Sequence, residues 1–168
     1  AADAPVGTID LDTPVTYGAE NYLLVGSDSR EGFAADTDFI GSTADVSGQR
    51  SDTMMILHQE LNGGASLISV PRDLWVPIHG KSRSNRVNTA FSDGPSTLIA
   101  TISEAFDIPI HHYVEVDFQG FRRIIDDIGG VEICVEHAAR DTHSGLWLDP
   151  GCQTLTGDRA LAYARSRY

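Results

Sequence analysis

The 168-residue sequence predicts an α/β fold, a single domain with a mixed central β-sheet flanked by helices. Three observations carry this. The length suits one domain. Short apolar runs ended by Gly or Pro intermix with segments whose apolar residues recur at helical spacing. No internal repeat interrupts that mixture.

Taken in order, residues 1–20 (AADAPVGTIDLDTPVTYGAE) are acidic and are expected to be a disordered or linker lead-in to a domain over 21–168. Tyr22-Leu23-Leu24-Val25, stopped by Gly26, reads as a buried strand. The Gly-, Asp-, Ser- and Thr-rich stretch from Ser27 to Gln49 reads as irregular. Thr53 to His58 is a second strand, and Asn62-Gly63-Gly64 turns it back into a partner strand over Ala65 to Val70. Pro71 ends that strand, Leu74 to Ile78 makes another short one, and Gly80 to Asn88 is a polar loop. Leu98, Ile99, Ile102, Ala105 and Phe106 mark a helix over 95–106, with Ser92 or Asp93 placed to cap it. His112 to Val116 alternates as a strand. Phe118, Phe121, Ile124, Ile125 and Ile128 mark a second helix, stopped by Gly129-Gly130. Val131 to Val135 is a further strand, and a last helix runs from near Gly157 through Ala164.

Composition narrows the function. The formal charge of -12 argues against a general nucleic-acid binder, which needs a basic face. No apolar run approaches the ~20 residues that span a bilayer, and no signal peptide remains. The 12 basic residues are Lys81 and eleven Arg. Arg grips phosphate bidentately where Lys acts as a point charge, although codon bias in a GC-rich genome produces the same skew. Two cysteines, Cys134 and Cys152, suit one disulfide in an oxidising compartment, contributing about 3 kcal/mol by restricting the unfolded chain. Zinc is the rival, since His137 and His143 lie between them, but the C-x2-H-x5-H-x8-C spacing matches no common zinc pattern.

Three strand ends carry the same side-chain types: Ser27-Asp28-Ser29-Arg30, Arg50-Ser51-Asp52 and Pro71-Arg72-Asp73. Any one alone reads as a local ion pair or turn cap. Three at strand ends, where α/β sheets place ligands, point to a convergent site. Such a mixture suits a pyrophosphate. Mg²⁺ takes one or two carboxylates, for which Asp28 and Asp52 are suitable, and spends other positions on phosphate oxygens. Arg30, Arg50, Arg72, Arg165 and Arg167 are the candidates to neutralise charge on a leaving phosphate.

The tail Tyr163-Ala164-Arg165-Ser166-Arg167-Tyr168 sets a geometric condition. On a helix, residues two apart point roughly 200° apart, so Arg165 and Arg167 share a target only if the helix ends near Arg165 and the chain becomes extended. Lys81 to Asn88, with Arg83 and Arg86, is the basic stretch, either a rim for an anionic substrate or a solvated loop. Gly80-Lys81-Ser82 resembles the end of a P-loop, but Trp75 stands where its first glycine belongs, so that motif is rejected. The pair His111-His112 reads as structural.

The residues resemble a known family. Asn21 to Arg30 (NYLLVGSDSR), Arg50 to Met55 (RSDTMM), Ser69 to Asp73 (SVPRD), Asn88 to Phe91 (NTAF), Gly129-Gly130-Val131, and Leu155-Thr156-Gly157 leading to Ala160 to Arg167 are similar, in order, to signatures of the LytR-CpsA-Psr family. The resemblance covers 21–168. It implies an apolar tunnel holding a polyprenyl chain, lined from the faces of Leu98, Ile102, Phe106, Phe121, Ile124 and Ile128. Read without the family, those residues are ordinary core. It implies that Asp28 and Asp52 bind Mg²⁺ and that Arg72, Arg165 and Arg167 hold the pyrophosphate. Arg30, Arg50, Asp73, Lys81, Arg83 and Asn88 are the further substrate-binding candidates, with Asp28 or Asp73 as base.

The implied activity is an extracytoplasmic phosphotransferase that attaches a polyprenyl-pyrophosphate-linked glycan to peptidoglycan and releases polyprenyl phosphate. The cysteine pair and Arg-rich composition look more like actinobacterial members, favouring arabinogalactan or a similar polysaccharide as cargo. The expected setting is the cell envelope, with the full-length protein anchored in the membrane upstream of residue 1. Against the family pattern, Glu31 to Gln49 looks like an insertion, and the family continues past the position of Tyr168 into a closing helix with a further arginine. The alternatives are a non-catalytic module that binds lipid-linked glycan and a pyrophosphatase acting on polyprenyl pyrophosphates.

Overall fold

The structure, a computed structural model, describes residues 11, 18–27 and 51–166, with Ser51 and Asp52 described in backbone only. The described residues form two compact units that part between Glu115 and Val116.

The first unit holds β1 (Glu20–Ser27), β2 (Ser51–Gln59), β3 (Ala65–Val70), β4 (Trp75–Pro77), β5 (Ser84–Arg86), α1 (Asn88–Phe91), α2 (Pro95–Phe106) and β6 (His112–Val116). The main sheet runs in the order β3-β2-β1-β6. β1 and β2 are antiparallel, Leu23 opposite Ile56 and Val25 opposite Met54, and β2 turns back into β3 with Ile56 opposite Ile68. β6 begins beside the start of β1: the His111 N–H donates to the Asn21 carbonyl at 2.9 Å, and His112 stacks on Tyr22. These two strands therefore run the same way and the sheet is mixed. Period-2 alternation puts Leu23, Val25, Met54 and Ile56 on one face, all at most 1% exposed, against Ala90 and Phe91 of α1 and Leu98, Ile99 and Ile102 of α2. Each such Leu or Ile contributes about 1.5–3 kcal/mol by leaving water.

Two local expectations are corrected here. Gly80 to Asn88 is not all loop: Ser84-Asn85-Arg86 is β5, paired with β4 so that Trp75 faces Arg86 and Val76 faces Asn85. Its three side chains are polar and exposed, so no apolar alternation announces it. The cap of α2 is neither Ser92 nor Asp93. Ser92 already ends α1, Asp93 pairs with Lys81, and Gly94 takes the N-cap position with φ 107°, a conformation that disfavours any side chain. Pro95 follows at the first helical position, where its missing N–H is harmless.

The second unit holds α3 (Phe118–Asp127), β7 (Val131–Val135), β8 (Ala139–Asp141), β9 (Leu146–Leu148), β10 (Gly151–Leu155) and α4 (Gly157–Arg165). Asp117 caps α3 by accepting the Gly120 N–H at 2.6 Å. β7 pairs with β10 and β8 with β9. Ile125, Leu146, Leu148, Leu155 and Ala160 form the core of this unit, with Phe121, Val131 and Ile133 packed on it. Cys134 lies directly opposite Cys152 in the β7–β10 ladder and the two are disulfide-bonded, as the cysteine pattern predicts. β8, β9 and β10 have no counterpart in the sequence reading: Ala139-Arg140-Asp141 and Gly151 to Leu155 are mostly small or polar, and Leu146-Trp147-Leu148 is only three residues long.

Candidate functional site

Antiparallel register decides which loops meet. Gly26 of β1 lies opposite Thr53 of β2, and Met54 of β2 lies opposite Val70 of β3. The end of β1, the start of β2 and the end of β3 therefore share one end of the sheet. These are the three strand ends whose flanking residues are Asp28, Asp52 and Arg72. The β1–β2 register shifts between Gly26 and Ser27, so Ser27 pairs with Ser51 and Asp52 is the residue passed over, a bulge of the kind that marks functional sheet ends. Asp28, Arg30 and Arg50 lie outside the described residues, as does Arg167.

At the end of β3 the Arg72 guanidinium sits 3.5 Å from Asp73, and Arg86 reaches the other oxygen of Asp73 at 3.6 Å. The sequence places Arg86 only within the basic stretch; the β4–β5 pairing brings it alongside Asp73. Backbone bonds tie the pieces together: the Asn88 N–H donates to the Arg72 carbonyl at 3.1 Å and the Val87 N–H to the Leu74 carbonyl at 2.8 Å. Among the described residues, two buried side-chain oxygens have no hydrogen-bond partner, Ser27 Oγ and Asn88 Oδ1. Buried polar atoms are rarely left so in a protein at rest. One stands at the end of β1 immediately before Asp28, and the other adjoins the Arg72 loop. Ser27 Oγ, beside Asp28 in sequence and Asp52 in register, and Asn88 Oδ1, beside the Arg72 loop, are the hard oxygens that Mg²⁺, its waters or a phosphate would meet, so the residues present fit that group.

In the second unit α4 ends at Arg165, and Ser166 is extended (φ -63°, ψ 138°), the exit that the spacing of Arg165 and Arg167 requires. The Arg165 guanidinium lies 5.0 Å from the centre of the Phe118 ring, a cation–π contact that orients it. The Ser166 hydroxyl binds Asp141, which also accepts the N–H of His143 at 2.9 Å and the hydroxyl of Ser144 at 2.9 Å. Burial pushes the Asp141 carboxyl up, but these donors outweigh it and hold it below the usual carboxylate range.

The six tunnel candidates divide. Leu98 and Ile102 are fully buried and Phe106 packs beside them in the first core, while Phe121 packs on the second. Ile124 and Ile128, at 50% and 65% exposed, are not core, which corrects the plain reading of all six as ordinary core. Lys81 is paired with Asp93 at 3.2 Å, and Arg83 is exposed.

Comparison with known proteins agrees with this arrangement. The LytR_cpsA_psr family model matches residues 3–168. The chain is 38% identical over 172 residues to the "Probable cell wall biosynthesis protein LcpB" of Corynebacterium glutamicum, covering 99% of this chain and 41% of that protein. It is 34% identical over 146 residues to the polyisoprenyl-teichoic acid–peptidoglycan teichoic acid transferase TagU of Bacillus cereus, covering 86% and 43%. Among solved structures it resembles the LytR-CPS2A-psr family protein YwtF (TagT) with bound octaprenyl pyrophosphate lipid, at TM-score 0.69 and 26% identity, covering 89% of this chain and 57% of that one. The chain thus spans about half the length of the proteins it matches. With its signatures in order and its Asp- and Arg-bearing strand ends gathered at one end of a mixed sheet, this chain belongs to the LytR_cpsA_psr family.

Proposed function

We propose that the chain is the extracytoplasmic catalytic domain of a cell-envelope phosphotransferase that moves a glycan from a polyprenyl pyrophosphate carrier to peptidoglycan. The observation that carries this reading is the shared sheet end of the Asp28, Asp52 and Arg72 segments, with the orphaned Ser27 and Asn88 oxygens beside them. The named activity of the B. cereus relative and the lipid bound to TagT support the substrate class. The similarity to the C. glutamicum protein supports a role in cell wall biosynthesis, and the cargo proposed on the Arg-rich composition and cysteine pair is arabinogalactan or a related polysaccharide.

In the proposed reaction a hydroxyl oxygen of the acceptor bonds to the sugar-side phosphorus. The bond from that phosphorus to the bridging oxygen breaks, and polyprenyl phosphate leaves with both electrons of that bond. The hydroxyl proton passes to a carboxylate, Asp28 or Asp73. Arg72 would meet the charge that moves to the leaving phosphate, a role that the family resemblance also gives to Arg165 and Arg167. Asp73 lies at ion-pair distance from both Arg72 and Arg86 and would bias the two guanidinium groups toward each other. Asp28 and Asp52 would hold Mg²⁺, which supplies charge neutralisation at the phosphates. Apolar surface at Ile124 of α3 and Ile128 just after it would take the polyprenyl chain, and an anchor upstream of residue 1 would keep the domain at the membrane.

Calorimetric titration with a short polyprenyl pyrophosphate, with and without Mg²⁺, tests the reading. Binding strengthened by Mg²⁺ and abolished in Arg72→Ala is expected. Binding indifferent to both would sink it, and release of free glycan phosphate in the presence of acceptor would replace transfer by hydrolysis.

A further inference from the structure

The β4–β5 hairpin and α1 border an open cavity of about 540 Å³ within the first unit, lined by Trp75, Lys81, Arg83, Asn85, Thr89 and Asp93. Its size falls in the range of small-molecule sites, about 300–1,000 Å³. Trp75 is 67% exposed, while its neighbour Val76 points into the core at 7%. An indole held out on a paired strand, in a cavity lined also by polar side chains, offers an apolar platform beside hydrogen-bonding groups. Lys81 and Asp93 form an exposed ion pair, weak enough to open to an incoming polar ligand. Lys81 and Arg83 against Asp93 leave the lining cationic in a chain of net charge -12.

We propose that this cavity binds an anionic saccharide ring. A pyranose presents a face of C–H groups that stacks on indole and an edge of hydroxyls that Asn85, Thr89 and Asp93 can pair. A carboxylate or phosphate on the ring satisfies Lys81 and Arg83. A neutral, wholly apolar or polyanionic ligand matches only part of this lining. The cavity is tied to the Arg72 loop, since Trp75 follows Arg72 by three residues and Asn88 bonds the Arg72 carbonyl. The choice of glycan rests on the proposed function: the ring is either the acceptor's acidic hexosamine or the donor's phosphorylated sugar.

The test uses lipid-free probes and the indole N–H resonance of Trp75, assigned with Trp75→Phe. A soluble muramyl peptide and N-acetylglucosamine 1-phosphate are titrated into the chain, with neutral chitobiose as the control. A saturable shift with at least one anionic sugar is expected, with chitobiose at least about tenfold weaker. Trp75→Ala and Lys81→Ala should each weaken calorimetric binding by about tenfold or more at unchanged melting temperature. Preference for the muramyl peptide assigns the cavity to the acceptor, and preference for the sugar phosphate assigns it to the donor. Binding of chitobiose as strong as that of the anionic sugars, unaltered affinity in Trp75→Ala, or no shift with either anion would overturn the proposal. If the sugars bind while polyprenyl pyrophosphate does not, the saccharide site stands and the transferase reading falls.

Discussion

Asp126 of α3 accepts the backbone N–H of Gly157 at 2.7 Å, so one helix caps the start of the other. The two helices are so close there that a Cβ on Gly157 would run into the Arg122 carbonyl. Arg122 also pairs with Asp158 at 2.6 Å. The Leu155-Thr156-Gly157 signature is therefore a packing device that seats α4, the helix whose last residue is Arg165.

It follows that Gly157→Ala should destabilise the protein by about 1–3 kcal/mol, because the obstructing atom is backbone and cannot swing away. Asp126→Ala removes only the cap and should cost about 1 kcal/mol. Thermal unfolding of the two variants checks both the direction and the order.

Ile124 and Ile102 separate lipid surface from core. Ile124→Trp lies on exposed surface and should leave stability within about 0.5 kcal/mol while lowering affinity for polyprenyl pyrophosphate. Ile102→Ala opens a cavity in the first core and should cost about 2–5 kcal/mol. Parallel loss of melting temperature and lipid affinity in Ile124→Trp would return that residue to simple packing.

Acid should weaken the fold through two carboxylates. Glu20 is held below its usual range by the Tyr22 hydroxyl and by His112, and Asp141 by the donors described above. A carboxylate depressed in the folded state contributes stability above its unfolded pKa, about 4, and loses it as pH falls through the lower folded value. Urea unfolding midpoints should hold steady down to about pH 5 and then fall. Asp141→Asn should flatten part of that fall; an unchanged slope would remove Asp141 from the account.

The disulfide joins facing residues of β7 and β10, whose pairing also brings Gly130 (φ 97°) against Leu155. Cys134→Ser with Cys152→Ser should cost about 2–5 kcal/mol. A thiol count on the unfolded, unreduced wild-type protein should read zero, and two free thiols would contradict the bridge.

By itself the sequence determined the α/β class, the places of the long strands and all three longer helices, and the family. Leu23 and Ile56 declare their strands by lying in apolar runs and Ile102 its helix by period, and Asp28, Asp52 and Arg72 declare a site by standing at strand ends. Only the tertiary structure decided that those three strand ends share one end of the sheet, that Arg86 joins Arg72 on Asp73, and that Gly157 and Gly130 serve close packing. It also moved Ile124 and Ile128 out of the core and paired the polar strand Ser84-Asn85-Arg86 with β4. The physical reason is range. Periodicity and capping arise from neighbours within a turn or two of chain, whereas register, backbone approach and the pairing of distant charges depend on segments that meet only after the sheet has formed.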